Sequence, residues 1–420
     1  MPLKGPISAA IEVPGSKSIT NRALLLAAMA SGRSRINNVL LSDDTRRMAA
    51  ALATLGFTLE IDEAERAIAV TGLAGRIPAA HAELFVGGAG TAMRFLAGFV
   101  TLGRGRFKLD GNPRMRRRPV GALLEALRGL GADAFSAAND DCPPIVVDTK
   151  NAPFAGGAAT LDASLSSQFV SALLMPAPLW RDGLRLRVIG ETAPPFIAMT
   201  LKLMEQFGAH SESEGDIIVV PGGQCYPPRD FTVESDASSA SYFAAAAAIV
   251  GGTVTLSGIT ADSVQGDAGF IRILEQMGAR VRWRPDGVDV SGAGSLTGIE
   301  IAMNAMPDMV PTLAALAPLC TSPTRITKVG FIRHHESDRL AVLAKELRRL
   351  GANVREFEDG LEIEPSPLKA AVIETYDDHR IAMAFAVTGL KSPGIRIKNP
   401  ACVGKTYPGF FDDLNRLYPC

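Results

Sequence analysis

Apolar residues along this chain recur in two periods. Some stretches place them at i, i+3, i+4 and i+7, as Leu123, Leu124, Leu127 and Leu130 do, which predicts helices with one buried face. Five of these end in Gly-Ala or Gly-Phe and run into a short strand-like segment: "MAAALATLGFTLEI", "LLEALRGLGADAFS", "LKLMEQFGAHSESE", "IRILEQMGARVRWR" and "LAKELRRLGANVREF". Their glycines, Gly56, Gly131, Gly208, Gly278 and Gly351, are spaced by 75, 77, 70 and 73 residues. Each stands where a helix end needs a left-handed backbone, which glycine adopts without a Cβ penalty. A period of about 74 residues exceeds the ~50 of solenoid repeats and suits a unit of two helices and several strands. A sixth such stretch, "YPGFFDDLNRLYPC", closes the chain with no strand after it, and the strand-like "AAIEVPG" near the start is expected to supply one. Six units predict two domains of three. Residues 1–17 with 233–420 are expected to form the lobe holding both termini, with 18–232 inserted. The crossings are expected near Gly15–Ser18 and near Pro227–Ala240, with a ligand cleft between the hinged lobes.

Composition narrows the class. With 47% hydrophobic and 21% charged residues over 420 positions, the chain can build the core of a soluble protein of two or more domains. Aromatics are only 6% and net charge is −1, so neither base stacking nor a global field favours a nucleic-acid or membrane partner. An anion site must come from local clusters. The five cysteines are scattered, without zinc or redox spacing, and read as reduced thiols of a cytoplasmic protein. The N-terminal stretch lacks a signal-peptide core, and runs such as "SYFAAAAAIVGG" are too short to span a bilayer.

Polar clusters recur at predicted helix starts. "VPGSKSITNRALLLAAMASG" sets Lys17 and Ser18 before an apolar helix, with Arg22 one turn on. It is not a nucleotide loop, since Ser16 precedes the lysine and the first glycine of that motif is missing. The turn either seats another anion on free N–H groups or caps a helix with Ser18. "LFVGGAGTAMRFLAG" brings Gly87, Gly88 and Gly90 before Thr91 and Arg94, without a dinucleotide fingerprint. "DGNPRMRRRPVGALLEAL" gathers Arg114, Arg116, Arg117 and Arg118, which repel one another unless an anion sits among some of them. Ser166, Ser167 and Gln168 open another helix, where they either cap it or bind hydroxyl and phosphate oxygens. The second half adds Asp308, then His334, His335, Glu336, Asp338 and Arg339, then Asp377, Asp378, His379 and Arg380, and finally Lys405. The histidines do not form His-Glu-x-x-His, so no zinc site is expected.

Taken together, "PGSKSITNRALLLAA", "GAGTAMRFL", "DGNPRMRRRP", "SSQFVSALLM", "SDASSASYF", Pro307–Asp308, "ESDRL", "YDDHRIAMAF" and "GKTYPGFF" resemble, in order and over nearly the whole chain, the 5-enolpyruvylshikimate-3-phosphate synthase family of enolpyruvyl transferases. The resemblance implies a two-lobed inverted α/β barrel with three similar units per lobe. It also implies transfer of the enolpyruvyl group of phosphoenolpyruvate to shikimate 3-phosphate, with phosphate released. Metal and organic cofactor are not required, and a cytoplasmic monomer is expected. By the same resemblance Lys17 meets both substrates, and Ser18, Arg22, Ser166, Ser167, Gln168 and His335 bind shikimate 3-phosphate. Gly90, Arg118, Gln168, Arg339, Arg380 and Lys405 bind phosphoenolpyruvate. Asp308 is the expected base for the sugar hydroxyl, and Glu336 the acid for the methylene, assisted by Lys17. The sequence departs from the family at His335, where lysine is common, and at Gly88 and Phe95. It departs again at Ala193 and Phe196, where Ser and Tyr often hold shikimate phosphate and Thr192 is the nearest hydroxyl. Gly90 keeps the small residue linked in this family to glyphosate sensitivity, so inhibition by glyphosate is expected. The alternatives are a UDP-N-acetylglucosamine enolpyruvyl transferase and an inactive homologue. Against the first, Ser18 rather than Asn follows Lys17 and no cysteine lies around Arg114–Arg118; against the second, Asp308, Glu336 and Arg380 are all present.

Overall fold

The computed structural model describes residues 2–3, 5–149, 154–190 and 193–418. It divides into two compact units, Gly15–Val233 and Met1–Pro14 with Glu234–Cys420.

Among the described residues, the unit of 15–233 carries six α-helices: α1 (Lys17–Met29), α2 (Asp43–Thr54), α3 (Gly90–Phe99), α4 (Gly121–Gly129), α5 (Ser167–Leu174) and α6 (Pro194–Gln206). They alternate in character. All of α3 and all but the first two residues of α1 are buried, whereas α2 and α4 bury only one face. The buried helices are rich in Ala, Gly and Leu, and Gly98 shows why. A Cβ there would sit on the backbone carbonyl of Ala172 in α5, so small residues let these helices approach closely. Three four-stranded sheets surround this helical core. In each, two strands run parallel and a hairpin adds the rest, as where Gly157–Asp162 pairs parallel to Leu184–Ile189.

The other unit repeats the plan with α7 (Ala237–Val250), α8 (Gly269–Gln276), α9 (Val310–Leu316), α10 (Arg339–Arg349), α11 (His379–Gly389) and α12 (Phe410–Asn415). Here α7, α9 and α11 are the buried helices. Among the described residues, two sheets have four strands and the third has two, Ala371–Ile373 and Ile395–Ile397. Helices inside and sheets outside, three units of each per lobe, make this the inverted α/β barrel expected from the resemblance. The repeat glycines have the left-handed backbone predicted for them, with φ of 96° at Gly56, 101° at Gly131, 92° at Gly208, 112° at Gly278 and 89° at Gly351.

One expectation fails. The N-terminal strand, Ile7–Glu12, does not complete the sixth sheet but pairs parallel, residue for residue, with Gly252–Ser257 of the fourth repeat. Correspondingly, Asp230–Thr232 joins Arg35–Asn37 of the first repeat. The strand before each chain crossing thus opens the sheet whose second strand lies beyond the other crossing. Among the described residues, no helix is long and apolar enough to cross a membrane.

Candidate active site

In the unit of 15–233 the polar motifs gather at the N-termini of the three buried helices. Ser16 occupies the cap position of α1 without a side-chain cap bond, so Ser18, expected as the cap, lies inside the first turn. The chain enters the helix two residues earlier than the Lys-Ser pair suggested. Lys17 stands at the first helical position with its Nζ 3.7 Å from Asp44 Oδ2. One turn on, Arg22 is 2% exposed. Its Nε donates to Thr200 Oγ1 (2.8 Å), its Nη1 to the Ser18 carbonyl (3.0 Å), and its Nη2 to Ser171 Oγ (3.2 Å) and the Phe196 carbonyl (3.3 Å). The guanidinium also lies 4.9 Å from the centre of the Phe95 ring. Every acceptor is neutral, and burial pushes this guanidinium down to about 9. It stays charged at neutral pH in a dry place. A buried cation so held gains strongly from an anion, because little water competes.

Ser166 caps α5, accepting from the Gln168 backbone N–H at 3.2 Å. Gln168 Nε2 reaches Thr91 Oγ1 on α3 at 3.4 Å, while its buried Oε1 has no hydrogen-bond partner among the described residues. Ser167, also buried, is the first residue of the helix. Gly90 opens α3. A Cβ there would lie 2.5 Å from Arg94 Nη1 and 2.6 Å from Arg118 Nη1, so the missing side chain is the space that two guanidiniums use. Of the four arginines after Gly111, Arg118 is the buried one, and Arg116 is spent on an exposed pair with Asp110 at 2.6 Å. At the departures, Ala193 caps α6 without a side-chain bond and Phe196 contributes only its carbonyl; Thr192 lies outside the described residues.

The second unit holds a tighter cluster. Arg339, first residue of α10, is 1% exposed and touches three carboxylates. Nη1 donates to Asp308 Oδ1 (2.8 Å), Nη2 to Glu336 Oε2 (2.8 Å) and Nε to Asp378 Oδ2 (2.9 Å). Burial alone would pull this guanidinium down; the charges of Asp378, Glu336 and Asp308 overcome that and leave it well above its ordinary value. Arg380 Nη2 reaches the other oxygen of Asp308 at 2.7 Å, and Lys405 Nζ the other oxygen of Glu336 at 3.1 Å. Burial lowers Arg380 as well, and the combined attractions of its neighbours, led by the Asp308 charge, leave it above its ordinary value. His335 Nδ1 is 3.2 Å from Arg339 Nη1. A guanidinium only donates, so Nδ1 accepts and the neutral ring carries its proton on Nε2.

Two members of this cluster had no role assigned from the sequence. Asp378 caps α11, accepting from the Arg380 backbone N–H (3.0 Å) and from Ser337 Oγ (3.0 Å), and so fixes both arginine-bearing helices. An acidic residue before His-Arg at a helix start was the available signal. Tyr242 on α7 is fully buried, and burial pushes its phenol up to about 12 against the pull of Arg380. Lys405 closes a short 3-10 turn, Pro400–Lys405, rather than opening a helix. Among the described residues no group of three or more His, Cys, Asp or Glu could hold a metal ion.

Known proteins share this arrangement of chain and fold. A family model described as EPSP synthase (3-phosphoshikimate 1-carboxyvinyltransferase) matches residues 3–414. The 3-phosphoshikimate 1-carboxyvinyltransferase of Trichormus variabilis is 45% identical over 411 residues, covering 97% of this chain and 96% of that protein. The protein of the same name from Vibrio atlanticus is 44% identical over 416 residues, covering 98% and 97%. Among solved structures, EPSP synthase from Acinetobacter baumannii superposes with a TM-score of 0.81 at 28% identity, covering 99% of this chain and 97% of that one.

Proposed function

The chain belongs to the EPSP synthase family and is a 3-phosphoshikimate 1-carboxyvinyltransferase; from that premise we propose how its two clusters divide the reaction. The substrates are phosphoenolpyruvate and shikimate 3-phosphate, both polyanions. Two like charges about 4 Å apart repel by roughly 4 kcal/mol at an effective dielectric of 20, so cations must accompany them. Arg22, Ser18, Ser166, Ser167 and Gln168, with Lys17 and His335, take the shikimate 3-phosphate. Lys17, Gly90, Arg118, Gln168, Arg339, Arg380 and Lys405 take phosphoenolpyruvate, with Gly90 leaving room at its backbone.

The reaction is an addition followed by an elimination. The 5-hydroxyl oxygen bonds to C2 of phosphoenolpyruvate, its proton passes to Asp308, and C3 takes a proton from Glu336, assisted by Lys17. The tetrahedral intermediate then breaks its C2–phosphate oxygen bond. C3 gives a proton back and the double bond reforms. The observation that carries these roles is the sharing of Asp308 and Glu336 by Arg339, Arg380 and Lys405. Substrate anions compete for those same N–H donors. Each donor that turns to phosphoenolpyruvate leaves a carboxylate less stabilised as an anion and a better partner for a proton.

The test is phosphate release with phosphoenolpyruvate and shikimate 3-phosphate, with UDP-N-acetylglucosamine replacing the latter in parallel. Release should require the shikimate ester, and Asp308→Ala should lower kcat at least ~100-fold, the lower bound for losing a positioned base. Unchanged kcat in that variant would remove Asp308 from the proton path. We propose further that the protein is a cytoplasmic monomer and that glyphosate inhibits it.

A further inference from the structure

Glu346 lies in the last turn of α10, amid "ELRR". Its side chain is 0% exposed. It stands about two helical turns beyond Arg339, away from the reaction cluster. Its hydrogen bonds grip the chain leading to Asp378. Oε1 accepts from Tyr376 Oη at 2.8 Å, and Oε2 from the Glu374 backbone N–H at 3.1 Å, with Arg349 Nε 3.4 Å away. Arg349 Nη1 donates to the Val372 carbonyl at 2.9 Å, and the Lys345 ammonium lies 5.4 Å from the centre of the Tyr376 ring. The end of α10 is thereby fastened to residues 372–376.

The backbone just beyond that fastening is strained. Tyr376 and Asp377 have φ of 54° and 56°, two consecutive left-handed residues that are not glycine. Such a backbone is unfavourable for residues with a Cβ and persists only where its surroundings enforce it. Asp377 Oδ1 accepts from Asn399 Nδ2 at 2.6 Å, and Asn399, with φ of 51°, is a third left-handed residue. Asn399 caps the turn that ends at Lys405. The three left-handed residues therefore lie between Glu346 and the two groups that flank the cluster: Asp378, which holds Arg339 and Arg380, and Lys405, which holds Glu336.

We propose that Glu346 is a positioning residue for the transferase reaction: through Tyr376 and the Asp377–Asn399 bond it holds the left-handed turn that aims Asp378 and Lys405 at the reacting groups. The inference rests on the assignment of this cluster to phosphoenolpyruvate. Glu346 makes no contact with substrate and moves no proton. Its effect comes through the angle at which two other side chains are held.

Glu346→Ala, Tyr376→Phe and Asn399→Gly separate the steps. Tyr376→Phe removes one hydroxyl and keeps the ring, and Asn399→Gly keeps the left-handed backbone while losing the bond to Asp377. Thermal melts, kcat and KM for each substrate are measured on folded protein, beside wild type with the same pair of substrates. Tyr376→Phe and Asn399→Gly should each lower kcat several-fold. Glu346→Ala should lower it about tenfold or more, which corresponds to ~1.4 kcal/mol in the barrier. KM for phosphoenolpyruvate should rise while KM for shikimate 3-phosphate moves little. The double variant Glu346→Ala with Tyr376→Phe should lose less than the product of the single losses, since the two share one path. Lower melting temperatures with wild-type kcat and KM in all three variants would overturn the proposal and leave Glu346 a buried structural carboxylate. If Glu346→Ala does not fold, Tyr376→Phe and Asn399→Gly alone decide. Inactive wild type would refute the substrate assignment instead, and is read before any variant.

Discussion

At the scale of single residues, the site is governed by which donor is shared and which space is left empty. Gly90 is the clearest case of empty space. An alanine there meets the far ends of two arginines rather than backbone, so it displaces guanidiniums and spares the fold. Gly90→Ala should therefore keep the wild-type melting temperature while raising KM for phosphoenolpyruvate about tenfold, or ~1.4 kcal/mol of lost binding. A lowered melting temperature with unchanged KM would show that the glycine serves packing alone. His335 is the clearest case of a shared donor. Its Nδ1 must accept from Arg339, and protonating the ring turns that nitrogen into a second donor facing the guanidinium. Acidification should then cost activity in wild type beyond what His335→Gln loses over the same range, because the amide cannot take up that proton. Superimposable acid limbs in the two proteins would show that His335 does not set them. The sequence displayed these residues because charge at a helix start is a local signal. It could not display Glu346, whose partners Tyr376 and the Glu374 N–H come from a different segment, nor the neutral cradle of Thr200, Ser171 and the Phe196 carbonyl around Arg22, whose members come from distant segments.

At the scale of elements, the repeat was legible because one chemical need recurs every time. A helix that returns its chain to a sheet edge ends best on a left-handed residue, and the five glycines mark those ends. Gly131 isolates that need. Its φ is 101°, and a Cβ there would have nothing within 4 Å, so an alanine meets no clash and feels only the backbone preference. Gly131→Ala should cost about 1–2 kcal/mol. For a unit of this size that lowers the melting temperature by roughly 2–4 °C per kcal/mol, with kcat per folded molecule unchanged. A neutral melt would mean that the helix end relaxes to another turn. Pairing between strands was not legible in the same way. "AAIEVPG" reads as a strand from its own residues, but its partner, Gly252–Ser257, lies more than half the chain away. Local pattern says that a strand exists; only the whole sheet decides where it goes. The short sixth sheet therefore stays at two strands, and the N-terminal strand opens the fourth repeat instead.

At the scale of the whole molecule, that exchange of first strands defines what each unit needs in order to stand alone. Residues 15–233 include all their own strands, because Asp230–Thr232 returns to pair with Arg35–Asn37 before the chain leaves. Residues 234–420 do not: without Ile7–Glu12, the strand Gly252–Ser257 loses a six-residue parallel partner and presents an open sheet edge. A fragment of 15–233 should fold cooperatively on its own, whereas 234–420 should need 1–14 attached to stay monodisperse. The isolated 15–233 fragment also keeps Arg22 and its neutral acceptors, and with them the buried positive charge to which we assign the shikimate phosphate. Shikimate 3-phosphate should therefore raise its melting temperature, and at ~100 times the dissociation constant the gain in stability is about 2.7 kcal/mol. The fragment should not release phosphate from phosphoenolpyruvate, since Asp308 and Glu336 are absent from it. Arg22→Met keeps an apolar stem over Phe95 and removes the charge, so it should fold and lose the ligand's stabilising effect. A fragment that folds but gains nothing from shikimate 3-phosphate, or an Arg22→Met variant that gains as much as wild type, would take the phosphate away from Arg22.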